Sequence, residues 1–250
     1  MAATFRPRGL ALAVALVAAG SANASILFDF ANNQANATNE SYSDSLSLTA
    51  GGITVTETGW SVANTNGTTH FAPAVVDNFN GPLWGLVVCS SNDPGGMYCL
   101  SPYHQIDNAN TSGLPGGDEF VMLQFSKPVS LSSIEIANYS SMDGSTAVDL
   151  TYYAASTALT TNTTLASLGA GTTVNANSGS GRQVTLNMSG SNVTYLVVGA
   201  SVPDAGTEVD SFKLNALSVV TTPEPATFGV TTFSLAALGI ARLRRRERAK

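Results

Sequence analysis

Glu119-Phe120-Val121-Met122-Leu123-Gln124-Phe125, continued across Ser126-Lys127-Pro128 into Val129-Ser130-Leu131-Ser132-Ser133-Ile134-Glu135-Ile136, decides how this chain folds. Val121, Leu123 and Phe125 fall at every second position, and Val129 to Ile136 continues the pattern. Successive side chains of an extended chain point to opposite faces, so a period of two marks a strand with one face in a core. Lys127-Pro128 reads as a turn between two strands, because proline carries no N–H for a ladder.

The same alternation recurs on both sides. Ile26, Phe28 and Phe30 oppose Leu27 and Asp29, and Ile53 to Thr58 follows a Gly51-Gly52 turn. Leu83 to Cys89 is uniformly apolar and reads as a central strand. Val148, Leu150 and Tyr152, then Val184 to Met188, Tyr195 to Ala200 and Phe212 to Val220, add further strands. Ser90 to Gly117 changes character. Asp93-Pro94-Gly95-Gly96, Ser101-Pro102 and Leu114-Pro115-Gly116-Gly117 are turn chemistry. Thr160 to Thr173 reads as a ragged edge or an exposed loop. Ten or eleven short strands, with no long amphipathic helix in competition, predict an all-β fold, a β-sandwich or jelly roll.

The ends differ from this body. Arg6 and Arg8, an apolar run from Leu10 to Ala19, and Ala22-Asn23-Ala24 form a secretory signal peptide over residues 1–24, with signal peptidase expected to cut between Ala24 and Ser25. At the other end, Pro223-Glu224-Pro225 precedes sixteen uncharged residues, Ala226 to Ala241, and then the basic run Arg242 to Lys250. Sixteen helical residues span about 24 Å, slightly short of a bilayer core, and snorkelling arginines help to close the gap. The cluster Arg242, Arg244, Arg245, Arg246 and Arg248 would hold the C-terminus on the cytoplasmic side. The expected organisation is therefore a signal peptide (1–24), a β-domain (25–221) and a tail (222–250) whose residues 226–241 form a transmembrane helix and 242–250 a basic cytoplasmic end.

Charge follows the same division. Of eleven Lys and Arg only Lys127, Arg182 and Lys213 lie in the body, against fifteen of the seventeen Asp and Glu, for a body charge near −12. Such a body has no electrostatic footing for nucleic acid or anionic lipid. Cys89 and Cys99 are the only cysteines. After export a disulfide between them is expected, with two free thiols or an intermolecular bond as the alternatives.

The order of tripeptide, short apolar helix and arginine block resembles the PEP-CTERM sorting signal, a segment also labelled an ice-binding-protein C-terminal domain. Pro223, Glu224 and Pro225 match the signature, Ala226-Thr227-Phe228-Gly229 its usual continuation, and Arg244-Arg245-Arg246 its basic end. The resemblance implies processing near the tripeptide by an exosortase, a membrane-embedded cysteine protease or transpeptidase. It also implies a final location at the cell surface or in an extracellular polysaccharide matrix. Two runs in the body are similar to those of other exported proteins with this tail: His104-Gln105-Ile106-Asp107-Asn108 with Asp118-Glu119-Phe120, and Tyr195 to Ala200 with Asp210-Ser211-Phe212-Lys213-Leu214. Those proteins are similar to galactose-binding-like sandwiches, which often carry structural calcium.

Candidate chemistry is sparse. His70 and His104 are the only histidines, and no Gly-x-Ser-x-Gly elbow, phosphate loop or zinc spacing occurs. Asp118 and Glu119, adjacent at the start of a strand, point to opposite faces and cannot both act on one sugar without help from the loop. Calcium suits loop-end oxygens better, and Asp107, Asn108, Asp118, Glu208 and Asp210 are the candidate ligands. Trp60, Trp84, Tyr98 and Tyr103 are candidates for stacking on a sugar ring. The reading is a non-enzymatic exported surface or matrix protein, with a calcium-braced carbohydrate-binding module as the alternative.

Overall fold

A computed structural model describes residues 24–32, 44–65, 68–78, 85–90, 106–107, 118–138, 147–177, 183–200 and 211–221. They form one antiparallel sheet of twelve strands. In chain order these are β1 (Ser25–Asp29), β2 (Leu46–Ala50), β3 (Ile53–Thr65), β4 (Thr68–Asn78), β5 (Leu86–Cys89), β6 (Ile106–Asp107), β7 (Asp118–Asn138), β8 (Ala147–Ala155), β9 (Thr172–Asn177), β10 (Gln183–Asn187), β11 (Val193–Ala200) and β12 (Ser211–Thr221). A 3-10 turn, Leu165–Leu168, interrupts the connection from β8 to β9. The all-β expectation holds. The expected transmembrane helix, 226–241, lies outside the described residues, and among the described residues no helix is long and apolar enough to cross a membrane.

Lys127-Pro128 is not a turn. The stretch from Asp118 to Asn138 is one strand of 21 residues. Its first half pairs with β3 and β11, and its second half with β12 and β10. Between the halves the register to β11 jumps from Gln124 to Val129. Proline is tolerated at such an irregularity, where the strand bends rather than reverses. β7 thus belongs to two arms of the sheet.

β4 makes the second corner. Its first part pairs with β3 through Ala74, and its last four residues pair with β5. At the bend the chain passes so close over Gly59 that a Cβ there would sit 2.8 Å from the carbonyl oxygens of Ala74 and Val75. Pairings of β5 with β12 and of β12 with β7 then close a circuit β3–β4–β5–β12–β7.

The main core lies inside this circuit. Phe28, Val55, Val76, Val88, Val121, Leu123, Ile134, Ile136, Leu214 and Leu217 belong to it. Phe28 and Phe125 pack with ring centroids 6.0 Å apart. The alternate residues of the first arm build a second cluster on the outer face: Val62, Phe71, Phe120, Met122, Tyr153 and Val197. Phe71 meets Phe120 edge-on at 5.2 Å. Leu159 closes this cluster from the segment after β8, with its N–H directed at the Met122 sulfur, 3.2 Å away. The stretch from Thr160 to Thr173, read from sequence as a ragged edge or exposed loop, has no buried residue and leads into β9 at the end of the strand order, yet it is tied down at its start. Thr164 caps the 3-10 turn by accepting from the Ser167 N–H, and Phe71 N–H donates to the Thr163 carbonyl at 3.0 Å.

Candidate functional site

The two ends of the body meet. β1 runs antiparallel to β12 with Ser25 opposite Val220 and Asp29 opposite Ala216, and the Ser25 and Ser218 hydroxyls lie 2.8 Å apart. Ser25, the residue expected to follow signal cleavage, is therefore the first strand residue and neighbours the end of the last strand. Pro223, Glu224, Pro225, Arg242, Arg244, Arg245, Arg246 and Arg248 lie outside the described residues.

Cys89 ends β5, fully buried and disulfide-bonded. Cys99, the other cysteine of the chain, lies outside the described residues. Of the calcium candidates, Asn108, Glu208 and Asp210 lie outside them as well. The remaining two stand on different arms. Asp118 pairs with Val62 at the start of β7, and its charge acts on the Tyr153 hydroxyl, whose pKa is raised first by burial and then by this carboxylate. Burial lifts Asp118 itself to about 6. Asp107 pairs with Ser211 on β12 and is 3 % exposed. Among the described residues no group of three or more His, Cys, Asp or Glu is arranged to hold a metal.

Asp118 and Glu119 diverge as strand geometry demands. Glu119 turns inward, fully buried, and accepts from the Ser90 N–H at 2.9 Å. His70 pairs with Ala63 across β3 and β4 and bridges to Thr164. Trp60 is half-buried, edge-on to Phe71 at 6.4 Å, with its indole N–H donated to the Thr58 hydroxyl. Trp84, Tyr98, Tyr103 and His104 lie outside the described residues.

Sequence reasoning missed the buried charges. Glu57 alternates with Ile53 and Val55 on β3, and the same period carries it into the main core, fully buried. Neither of its oxygens has a hydrogen-bond partner, and burial pushes its pKa up to about 8. Burial thus favours its neutral form.

A second group gathers on the opposite face of the other arm. Asp77 is paired with Val87 across β4 and β5. Leu86 is paired with Leu214, so one step along the alternation brings Val87 and Lys213 to the same face. Asp107 stands opposite Ser211, two residues from Lys213 and on that face as well. Asp77 and Lys213 are both 0 % exposed. Burial lowers the Lys213 pKa to about 8, while the Asp77 charge works in the opposite direction and favours the ammonium. The available signal was scarcity. With three cations in the body, one of them inside the apolar run Phe212-Lys213-Leu214-Asn215-Ala216-Leu217 asked for a buried partner.

Comparison of the chain with protein-family models, with curated proteins and with solved structures finds no match.

Proposed function

We propose that this chain is an exported surface or extracellular-matrix protein, cut after Ala24 by signal peptidase and processed at Pro223-Glu224-Pro225 by an exosortase. Its body would be a non-catalytic β-sandwich of the galactose-binding-like kind, associated with extracellular polysaccharide. The observation that carries this reading is the pairing of Ser25 with Val220. The first and last described strands, next to which the two processing signals lie in sequence, are thus side by side. Five residue steps separate Thr221 from Ala226, a reach of at most about 18 Å. A membrane-embedded protease would therefore meet the tripeptide close to the β1–β12 pair. The buried state of Asp77, Glu57 and Glu119 supports a body without catalysis, since none of them has a face to offer a substrate.

Intact mass and C-terminal peptide mapping of the protein recovered from its producing organism test the proposal. The expected form begins at Ser25 and ends near Pro223–Pro225. A membrane-bound form that keeps Arg242 to Lys250 would make the tail a plain anchor and overturn the processing.

A carbohydrate-binding role for the body, braced by calcium, is the second reading. It is favoured by a row of hydroxyls beside half-exposed Trp60: Ser47 with Thr56 and Thr49 with Thr54 bond in pairs across β2 and β3. Polysaccharide pull-down that is retained by the native chain and lost in Trp60→Ala, with the fold intact by circular dichroism, would support it.

A further inference from the structure

We propose that Lys213 and Asp77 are joined by a side-chain amide, an isopeptide cross-link formed within the folded body, with Asp107 serving as the proton carrier. The argument begins from placement. Lys213 on β12 and Asp77 on β4 flank Val87 of the intervening strand β5, on one face, with neither exposed to water. Asp107 pairs with Ser211, two residues from Lys213 and on that face as well, and is buried. Each of these polar residues is engaged in a polar or electrostatic contact.

Burying an ion pair is unfavourable by several kcal/mol per ion unless it is well compensated, and here it occupies one of three cations in a strongly acidic body. Condensation removes both charges. The site offers two needs of a nucleophilic amine, desolvation to expose the lone pair and a fixed neighbour, and the third, an acid to carry the proton, is assigned to Asp107. Burial already draws the lysine toward its neutral form, and the Asp77 charge marks the carboxylate that the ammonium feels.

The step balances without a co-reactant. The ammonium of Lys213 gives one proton to the Asp77 carboxylate, leaving an amine and a carboxylic acid. Nζ attacks Cγ and forms the C–N bond. The second proton leaving nitrogen passes through the Asp107 carboxyl to the departing hydroxyl, the C–O bond breaks, and water is released. Asp107 ends as it began. Nothing is oxidised or reduced, and the product ties the last strand of the body to β4 across β5.

The test is mass spectrometry of the full chain, denatured and reduced. The expected mass is one water below that of the sequence between the observed termini, and digestion yields a branched peptide joining the segment around Asp77 to that around Lys213. Lys213→Arg and Asp77→Ala should restore the full mass and remove the branched peptide. Asp77→Asn should still form the amide, now with loss of ammonia. Asp107→Asn should slow its appearance in a time course after synthesis. If the reduced native chain has its full mass and yields only linear peptides, the cross-link does not exist and Lys213–Asp77 is an ion pair. That outcome needs no variant to fold, and because it is read against the observed termini it stands apart from whether the ends are processed.

Discussion

Gly59 lies directly under the Ala74 carbonyl, so close that a Cβ on residue 59 would come within 2.8 Å of the oxygen. The obstacle is backbone at the corner where β4 leaves β3 for β5, so it cannot swing aside as a side-chain tip would. Gly59→Ala is expected to lower stability by about 1–3 kcal/mol, the usual cost of overpacking a tight site. Urea denaturation of the variant beside the native chain measures it. An unchanged midpoint would mean that the corner is loose.

Glu57 gives the fold a built-in pH dependence. Its folded pKa, about 8, stands above the ordinary value of 4.5 because the carboxyl is buried in the main core. The folded chain therefore holds this proton over a range in which the unfolded chain has lost it. Stability from this residue is fully present below pH 4.5, falls as pH rises, and levels off beyond pH 8. Glu57→Gln removes the titration. The difference in unfolding free energy between variant and native chain should grow in the variant's favour by a few kcal/mol from pH 4.5 to 8. Using this difference cancels the smaller contribution of Asp118, which has the same sign. A constant difference across that range would show that Glu57 is ionised in the fold.

Cys89 is disulfide-bonded at the end of a fully buried strand. Cys99→Ser should lower stability by about 2–4 kcal/mol in the oxidised protein and leave the reduced protein almost unaffected. Thermal unfolding with and without reductant separates the two. Equal losses in both conditions would point to packing rather than the bond.

Leu159 behaves as a core residue although it lies in a connection. It closes the outer cluster over Phe120 and Met122 at 4 % exposure. Leu159→Ala is expected to cost about 2–5 kcal/mol, as a core truncation does, whereas exposed Thr161→Ala should stay within about 0.5 kcal/mol. Comparable small effects for both would make the segment an ordinary loop.

How much of this was legible depended on how far a residue's neighbours shared its pattern. Ile26, Phe28, Val148, Leu150 and Tyr152 announced their face through strict alternation, and all five are buried. Lys127-Pro128 misled because proline chemistry is the same at a turn and at a strand irregularity. Only the partners, β11 on one side and β12 on the other, distinguish them. β4 was not foreseen because Thr68-Thr69-His70 and Pro73 dilute the alternation of its first half. Glu57 and Lys213 were hidden by a sound general expectation, that charge faces water. Alternation with Ile53 and Val55 alone would have placed Glu57 inside, whereas Lys213 alternates away from Phe212 and Leu214 and is buried on the opposite face. The carboxylates considered for calcium were chosen as loop ends, and two of them, Asp107 and Asp118, proved to be strand residues on separate arms.

β12 follows all the other strands of the body in sequence, and it pairs with β1, β5, β6 and β7. A keystone placed last in the sequence keeps the arch open until the final stone arrives. Until residues 211–221 are in place, the rest of the body lacks the strand that joins its two arms and cannot complete its closed circuit. A chain cut short before residue 211 would leave β1 and the second half of β7 without their common neighbour, an open sheet rather than a smaller closed one.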